Sequence, residues 1–326
     1  MKKLRAAVIG AGYLGRFHAR KYGELDGVEL VGVADIDGER AAEVAAMTGA
    51  EPFEDYRDLL GRVDAVSIVT PTQTHYPIAL DFLRNGVDVL VEKPMTVTVD
   101  EADRLIDEAD RAGRVLQVGH LERFNGAVVS LEGRVDNPMF IESHRLSPFP
   151  DRGTDVDVVL DLMIHDIDII LNLVDSEVEW VDAVGVPVIS THVDIANARI
   201  RFGNGCVANV TASRISKERM RRIRLFQWDA YMAIDYASQH ISVFRRTASG
   251  PDGPPTIAEE VLDIEKTDAL AEEIRAFVRS CAEGTAPVVS GRDGRRALEV
   301  AVRIQESVRR SMTLLEEHIR KGGIPL

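Results

Sequence analysis

Short apolar runs alternate with amphipathic stretches through the first 120 residues of the chain. Each run is rich in β-branched or aliphatic side chains and ends at a glycine or a polar residue, which is typical of a buried strand. The predicted strands cover residues 6–9, 28–34, 63–69, 87–91 and 115–119. The predicted helices cover residues 14–23, 38–49, 75–86 and 98–112. Strands that alternate with helices of about a dozen residues indicate βαβ units and a parallel sheet.

The pattern changes after residue 120, where strand candidates begin to follow one another directly. The predicted elements are a helix-like stretch near 124–134, a strand near 139–146, a Pro- and Gly-rich loop at 147–154 and a long apolar helix at 155–174. Further strands are predicted at 178–189, 193–202, 205–214, 220–227, 231–236 and 240–245, then a polar loop at 248–257 and helices at about 267–283 and 293–320. This order favours an antiparallel or mixed sheet.

The amino-acid composition disfavours some kinds of binding partner and cellular location. The 326-residue chain carries a formal net charge of −14, which disfavours binding to nucleic acid or to anionic lipid. Cys206 and Cys281 lack the spacing of a disulfide framework or a metal site, so two reduced thiols are expected. No apolar window approaches about 18 residues, and the N-terminal stretch is too short for a signal-peptide core. We therefore expect a cytoplasmic protein without a membrane span.

A glycine fingerprint follows the first predicted strand. Gly10, Gly12 and Gly15 form GxGxxG between a strand and a helix, where the three glycines permit a tight turn, backbone approach to a pyrophosphate and close helix packing. Asp35 lies 20 residues beyond Gly15, at the end of the next strand, where a carboxylate would accept hydrogen bonds from the ribose hydroxyls and repel a 2′-phosphate. The sequence thus predicts dinucleotide binding, with NAD favoured over NADP, although Arg40 is near enough to bend back toward a phosphate.

Glu92-Lys93-Pro94 follows the predicted strand at 87–91 directly. Ligands bind at the carboxyl edge of a parallel sheet, so Lys93 is a candidate for the nicotinamide end of the site. Taken alone, a lysine at the end of a strand is more simply a solvated side chain. Pro94 also permits a cis peptide bond that would direct the lysine.

The long helix at 155–174 carries its polar residues in one stripe. The spacings of 4, 4, 3 and 4 place these residues along one helix face: Asp157, Asp161, His165, Asp168 and Asn172. Burying several carboxylates without partners is costly, so the stripe must face a polar cavity, a ligand or cations. An imidazole four residues after a carboxylate lies on the same helix face, where the carboxylate can orient the ring for proton transfer. The alternative is the solvated face of a surface helix. The remaining histidines are scattered, so no metal is predicted.

These motifs, taken in order, resemble one enzyme family. They are the GAGYLG start, Thr70-Pro71 with His75, the EKP triplet, the Asp161–His165 helix and Asp235-Tyr236. Together they resemble the Gfo/Idh/MocA family, named for glucose–fructose oxidoreductase, inositol dehydrogenase and rhizopine catabolism. That family joins an N-terminal Rossmann domain to a C-terminal α+β domain with a large, mostly antiparallel open sheet. The resemblance implies an α/β fold with an NAD(P)-binding Rossmann domain over 1–120 and a substrate-binding and oligomerisation domain over 121–326, assembled as a homodimer or homotetramer.

The resemblance also implies residue roles. The catalytic residues would be Lys93, Asp161 and His165, with Lys93-Pro94 in the cis form. With the glycine fingerprint, the candidate cofactor-binding residues are Gly10, Gly12, Tyr13, Leu14, Gly15, Asp35, Thr70, Pro71, His75, Glu92 and Lys93. In the implied reaction His165 takes a proton from a ring hydroxyl, Lys93 stabilises the developing alkoxide and Asp161 orients His165.

Two further segments, HLERFN at 120–125 and the stretch at 152–168, resemble bacterial nucleotide-sugar 3-dehydrogenases, especially those acting on UDP-N-acetylglucosamine. Such enzymes make a 3-keto sugar for a partner aminotransferase, which leads to 3-amino sugars of lipid A or surface polysaccharide. The candidate substrate-binding residues are Arg123, Asn125, Arg145, Arg152, Asp161 and His165. Arginine suits a diphosphate because it makes bidentate contacts, although any one of these arginines alone could simply be solvated.

Other functions stay open at this point. The substrate could be inositol or a free sugar, as in other members of the family. The chain could also be a non-catalytic dinucleotide-binding sensor, or an imine or pyrrole reductase of related fold. The presence of Lys93, Asp161 and His165 together favours a sugar dehydrogenase over both of the last two.

Overall fold

The structure is a computed structural model that describes residues 3–149, 156–247 and 256–321. Its internal packing divides the chain into two units. The first comprises Met1–Phe124 and Asp268–Leu298, and the second comprises Asn125–Thr267 and Glu299–Leu326. The predicted boundary after residue 120 lies four residues before this division. The residues from 268 to 298, which we expected in the second domain, pack with the first unit instead.

The first unit contains a six-stranded sheet in the order β3-β2-β1-β4-β5-β6. Every neighbouring pair is parallel, as predicted. The strands are β1 (Leu4–Ile9), β2 (Val28–Ala34), β3 (Glu51–Phe53), β4 (Ala65–Ile68), β5 (Asp88–Glu92) and β6 (Leu116–Gly119). This order is that of a doubly wound Rossmann fold. The strand β3 was not predicted, because three residues that include Pro52 give no detectable alternation.

Four helices connect the strands of this sheet. They are α1 (Tyr13–Gly23), α2 (Gly38–Ala46), α3 (His75–Arg84) and α4 (Val99–Ala112). The start of α4 is fixed by a capping box, in which Thr98 accepts from the main chain of Glu101 and the Glu101 side chain reaches back. Gly113 ends α4 in the left-handed conformation that favours glycine. Both ends of α4 lie within a residue of their predicted positions.

The second unit contains an eight-stranded sheet in the order β14-β13-β12-β11-β7-β10-β9-β8. Its strands are β7 (Phe140–Leu146), β8 (Val178–Val186), β9 (Ile195–Phe202), β10 (Val207–Ser213), β11 (Met220–Phe226), β12 (Ala230–Asp235), β13 (His240–Thr247) and β14 (Thr256–Leu262). Among the described strands of this sheet, only the β7–β10 pair is parallel, so the sheet is mostly antiparallel, as predicted. The strand β14 was not predicted, and it begins inside the loop predicted at 248–257; residues 248–255 lie outside the described residues.

Two predicted helices of the second unit differ from expectation. The stretch near 124–134 forms only the short helix α5 (Gly126–Val129), capped by the side chain of Asn125. The long helix begins with a π turn at Val159–Met163 and continues as α6 (Ile164–Leu173). A π turn inserts an extra residue, so the predicted stripe does not continue along a single face.

Two helices close the chain, α7 (Ala269–Glu283) and α8 (Gly291–Lys321). Ile274 and Phe277 of α7 are fully buried in the same apolar cluster as Ala19 and Tyr22 of α1. No described helix is both long and apolar enough to span a lipid bilayer.

A buried ion pair holds the chain entering the π turn. The Arg214 guanidinium donates to the Asp194 carboxylate at 2.9 Å and to the main-chain oxygen of Val156 at 2.7 Å, and both charged side chains are fully buried. Asp194 also accepts the main-chain N–H groups of Ile189 and Ser190. Burial alone would raise the pKa of Asp194, but these hydrogen bonds outweigh it and hold the pKa well below its ordinary value.

We expect Asp194→Asn to lower the free energy of unfolding by about 3–5 kcal/mol at pH 7, because it leaves the Arg214 charge buried without its partner. The carboxylate contributes its full stability above the pKa of an unfolded aspartate, about 3.9, and loses it as the pH falls toward the lower folded value. The stabilities of variant and wild type, measured by urea denaturation, should therefore converge below about pH 4. Asp182→Asn, on the exposed face of β8, is the control. Equal stability of Asp194→Asn and wild type at pH 7 would contradict this account.

Candidate active site

The glycine fingerprint forms the loop between β1 and α1. Gly10 has a φ of +101°, and a Cβ there would lie 2.6 Å from the carbonyl oxygen of Val69. A Cβ on Gly15 would lie 1.8 Å from the carbonyl oxygen of Gly10, so helix and loop pack without room for a side chain. Gly12, in contrast, has no protein atom within 4 Å of its Cβ position. The open space at Gly12, beside the N-terminus of α1, fits the pyrophosphate of a dinucleotide.

Asp35 lies directly after β2 and contacts the same loop. Its carboxylate accepts the main-chain N–H of Ala11 at 2.7 Å and that of Asp37 at 2.9 Å. These two bonds fix the carboxylate beside the glycine loop and leave lone pairs that can accept from ribose hydroxyls. Arg40, considered above as a phosphate partner, forms an ion pair with Asp37 at 3.0 Å.

A cleft of about 930 Å³ runs along the carboxyl edge of the parallel sheet. The predicted cofactor residues that line it are Gly10, Gly12, Leu14, Asp35, Thr70, Pro71, Glu92 and Lys93. Gly15 lies behind the loop, against the Gly10 carbonyl, and Tyr13 is 68% exposed at the start of α1. The cleft is large enough for much of a dinucleotide.

The cleft also has walls that sequence reasoning missed. Glu54, Tyr56 and Arg57, which come from the segment after β3, line it together with the exposed Ile36. Because β3 itself was not predicted, nothing in the sequence placed this segment next to the end of β2. The only available signal was the apolar spacing of Phe53, Tyr56 and Leu59.

His75 ties together two loops of the cleft. Its buried ring places Nδ1 at 2.9 Å from the carbonyl oxygen of Pro94 and Nε2 at 2.8 Å from that of Thr70. Burial lowers the pKa of His75. The ring thus links the loop after β4 to the loop after β5, where the Lys93-Pro94 peptide bond is cis.

Glu92 anchors the main chain of Lys93. Its Oε2 accepts the Lys93 N–H at 3.2 Å, and its Oε1 lies 3.2 Å from Nε2 of the fully buried His18. Burial alone would raise the pKa of Glu92, but the hydrogen bond and charge of His18 and the charge of Lys93 outweigh it and hold the pKa below its ordinary value. An ionised carboxylate only accepts hydrogen bonds, so the His18 nitrogen donates.

The polar residues of the predicted stripe divide into separate environments within the second unit. Asp157 accepts the main-chain N–H groups of Val159 and Leu160 and a side-chain N–H of Gln305, so it begins the π turn. Asp161, in the π turn, and His165, in α6, are both half-buried. The two residues are four positions apart, and the π turn ends between them at Met163.

The other members of the stripe are spread between core and solvent. Asp168 is 3% exposed, whereas Asn172 is exposed. Asp166, which lay outside the predicted stripe, is fully buried and receives the Arg145 guanidinium at 2.7 and 3.3 Å. Burial of Asp166 is therefore balanced by a paired charge.

The residues predicted to bind the substrate have different surroundings and do not all belong to the same unit. Arg145 belongs to the buried pair with Asp166 and lies over the ring of Tyr236. Asn125 is buried, caps α5 and donates to the main-chain oxygen of Tyr236 at 3.1 Å. Arg123 is buried in the short helical turn Leu121–Phe124 of the first unit. Arg152 lies outside the described residues.

Comparison with protein families identifies both parts of the chain. Residues 4–120 match the model described as an oxidoreductase family with an NAD-binding Rossmann fold. Residues 122–228 match the model of the GFO/IDH/MocA C-terminal domain. The end of the first match and the start of the second bracket the change in hydrophobic pattern noted after residue 120.

Individual relatives extend over nearly the full chain. The UDP-N-acetylglucosamine 3-dehydrogenase of Acidithiobacillus ferrooxidans is 41% identical over 94% of this chain and 98% of its own length. A solved structure of that enzyme aligns with a TM-score of 0.88, covering 94% of this chain and 98% of the other. The NAD(+)-dependent scyllo-inositol 2-dehydrogenase of Bacillus subtilis is 28% identical, with 95% of each chain covered.

Two glycine substitutions should separate folding from dinucleotide binding. We expect Gly12→Ala to keep the wild-type melting temperature, because its Cβ meets no protein atom and the φ of −70° suits any residue, but to weaken binding of the dinucleotide. Gly15→Ala should lower the melting temperature, because its Cβ would overlap the Gly10 carbonyl. Thermal unfolding and calorimetric titration with NAD measure the two effects. Unchanged NAD affinity in Gly12→Ala would argue against a pyrophosphate at this loop.

Proposed function

Because the chain belongs to the Gfo/Idh/MocA family of oxidoreductases, we propose that it is an NAD-dependent dehydrogenase that oxidises the C3 hydroxyl of UDP-N-acetylglucosamine to a ketone. The observation that carries the proposal is the likeness to the Acidithiobacillus ferrooxidans enzyme across both domains, since 41% identity extends over 94% of this chain. A likeness confined to the Rossmann domain would support only dinucleotide binding. The likeness here includes the domain that would select the sugar.

The proposed cofactor is NAD rather than NADP. Asp35 supports this choice, because its carboxylate, held by the N–H groups of Ala11 and Asp37, would repel a 2′-phosphate. The Arg40 guanidinium is paired with Asp37 rather than free to neutralise that phosphate. When bound, NAD would supply the hydride acceptor, with Gly10, Gly12 and Asp35 holding its phosphate and adenosine-ribose portions.

The proposed proton chemistry uses three side chains. His165 accepts the proton of the C3 hydroxyl as the hydride leaves the same carbon. Asp161, four positions earlier, orients the imidazole and stabilises the cation that forms. Lys93, whose main chain is fixed by Glu92, donates a hydrogen bond to the developing alkoxide.

The proposed substrate contacts rely on arginines. Arg123 and Arg152 are suited to the diphosphate, since guanidinium groups bind phosphate oxygens in a bidentate manner. Arg145 would act together with its bound Asp166 to shape the site, and Asn125 through its cap on α5. The resulting 3-keto sugar is a suitable substrate for an aminotransferase, so we place the reaction before the formation of a 3-amino sugar for lipid A or surface polysaccharide.

We further propose a homodimer or homotetramer that works in the cytoplasm. One face of the eight-stranded sheet presents half-buried aromatic side chains on four adjacent strands: Phe140, Phe226, Tyr231 and Phe244. These aromatic side chains form a patch at one end of the face, next to the ion pairs Arg224–Glu142 and Arg222–Asp235, and such a mixed patch is suited to packing against another copy. Both cysteines are free thiols, as expected in a reducing compartment.

A second candidate is oxidation of an inositol or a free sugar. The likeness to the scyllo-inositol 2-dehydrogenase favours it, although the identity there is 28%. The two candidates differ in whether the substrate carries a diphosphate.

A substrate panel should decide between them. With NAD present, UDP-N-acetylglucosamine should raise the melting temperature and give absorbance of reduced cofactor, because only the folded state binds it. N-acetylglucosamine, glucose and the inositols, at equal concentration, serve as the controls. Turnover of an inositol with no response to the UDP-sugar would replace the proposed function by the second candidate.

The assignment of the base can be tested separately. His165→Ala should lose about 10²- to 10⁴-fold in kcat, because general acid–base help has that typical value. Its affinity for NAD should stay at the wild-type level, since the residues that line the described cleft come from the first unit and His165 belongs to the second. Steady-state kinetics and NAD titration measure both quantities, with the exposed His192→Ala as the matched control. Near-normal turnover by His165→Ala would exclude this residue as the base.

A further inference from the structure

Glu273 of α7 is a buried acid that the proposed chemistry does not use. The residue is fully buried, and among the described residues neither oxygen of its carboxyl group has a hydrogen-bond partner. Its main-chain oxygen accepts the side-chain N–H of Gln117 at 3.2 Å, which fixes this turn of α7 against β6. An ionised carboxylate in such surroundings would be very costly, so the neutral acid is favoured.

Glu273 lies in a cluster with Glu92 and His18. A carboxyl oxygen of each glutamate and a ring nitrogen of His18 all lie within 4.8 Å of one another. Two carboxylates this close in a dry interior cannot both ionise cheaply, so the pair holds one proton. The His18 ring and the Lys93 N–H already stabilise a negative charge on Glu92, which leaves the proton on Glu273. Burial and the charge of Glu92 accordingly raise the pKa of Glu273.

We propose that Glu273 is a positioning residue, whose carboxylic acid donates a hydrogen bond to the Glu92 carboxylate and so fixes the group that anchors Lys93. The carboxyl oxygens of the two glutamates lie within 4.8 Å of each other, so the proposal requires the Glu273 side chain to move closer to Glu92. The inference rests on the proposed function in one respect, namely that Lys93 acts on the sugar hydroxyl. Gly119 of β6 makes room for this arrangement, since a Cβ there would lie 3.0 Å from the Glu92 carboxyl carbon.

The other groups that face the cluster leave its charge unchanged. The titratable and polar side chains on the surrounding elements are His18 and Tyr22 of α1, Ser67 of β4, Glu92 and Lys93 at the end of β5, Gln117 of β6 and Glu273 of α7. Tyr22 is buried and hydrogen-bonded to Ser67 at 2.8 Å, and burial raises its pKa, so it stays neutral. The proton on Glu273 therefore prevents a second negative charge beside that of Glu92.

Infrared spectroscopy of the full-length protein tests where the proton is. The wild-type protein at neutral pH should show the carbonyl-stretch band of a protonated carboxylic acid, which Glu273→Gln loses and the half-exposed neighbour Glu272→Gln keeps. Absence of the band from wild type, or its survival in Glu273→Gln, would overturn the proposal. So would elemental analysis that finds stoichiometric zinc in wild type and none in Glu273→Gln, because the three side chains would then be metal ligands.

The pH dependence of stability gives a second measure. An acid whose folded pKa is raised contributes its full stability below the unfolded value, about 4.3 for glutamate, and loses it as the pH rises toward the folded value. The melting temperature of Glu273→Gln minus that of wild type should therefore increase with pH above about 4.3, whatever its offset. The same difference for Glu272→Gln should stay flat. A Glu273→Gln difference that stays flat or falls would show an ionised Glu273 and overturn the proposal.

Kinetics tests the link to Lys93. Glu273→Leu removes the donor and should lower kcat for UDP-N-acetylglucosamine by about ten- to a hundredfold, with less effect on KM and a changed pH profile of kcat. Glu273→Gln keeps an N–H donor and should recover most of that loss. Wild-type kcat and pH profile in Glu273→Leu would overturn the positioning role while leaving the proposed function intact.

Inactivity of the wild-type protein on every sugar would instead reject the proposed function. The infrared and stability measurements would still decide whether Glu273 is protonated. If Glu273→Leu does not fold, those two experiments with Glu273→Gln decide the proposal.

Discussion

The carboxyl edge of the six-stranded parallel sheet is the constraint on which the dinucleotide cleft depends. Because all strands of this sheet run in one direction, every strand-to-helix loop opens at the same edge. The glycine loop, Asp35, the Thr70-Pro71 turn and Lys93 come from four different strands, yet they line one cleft. Within it, the hydrogen bond from the Ala11 N–H to Asp35 joins the glycine loop to the end of β2.

In both units, buried charged side chains hold loops and helices in place. Asp166 is paired with Arg145, and Asp194 with Arg214, so each of these two buried carboxylates has a guanidinium partner. Glu92 has an imidazole and a main-chain N–H instead, and a neighbouring acid within 4.8 Å. The difference follows from their places in the fold. The two ion pairs hold helix and turn segments of the second unit, whereas Glu92 holds the residue next to it in the cleft.

The π turn is a local irregularity at the start of the predicted long helix. It covers Val159–Met163 and contains Asp161, whereas His165 lies in the first turn of α6. A π turn inserts an extra residue, so sequence spacing alone does not fix how the side chains before and after it are aligned. Its start is held by Asp157, which accepts from Val159 and Leu160, and by Arg214, which binds the main chain at Val156.

Local pattern by itself determined the parallel sheet, the glycine loop, Asp35 and the positions of nearly all strands, because strand alternation, helix caps and a tight glycine turn depend on neighbouring residues. Only the tertiary structure decided the edge strand β3 with the cleft wall after it, the strand β14, the π turn and the cluster of His18, Glu92 and Glu273. These features join segments as far apart as α1 and α7. Sequence spacing carries no information about which distant carboxyl groups burial will bring together, or which of them must then keep a proton.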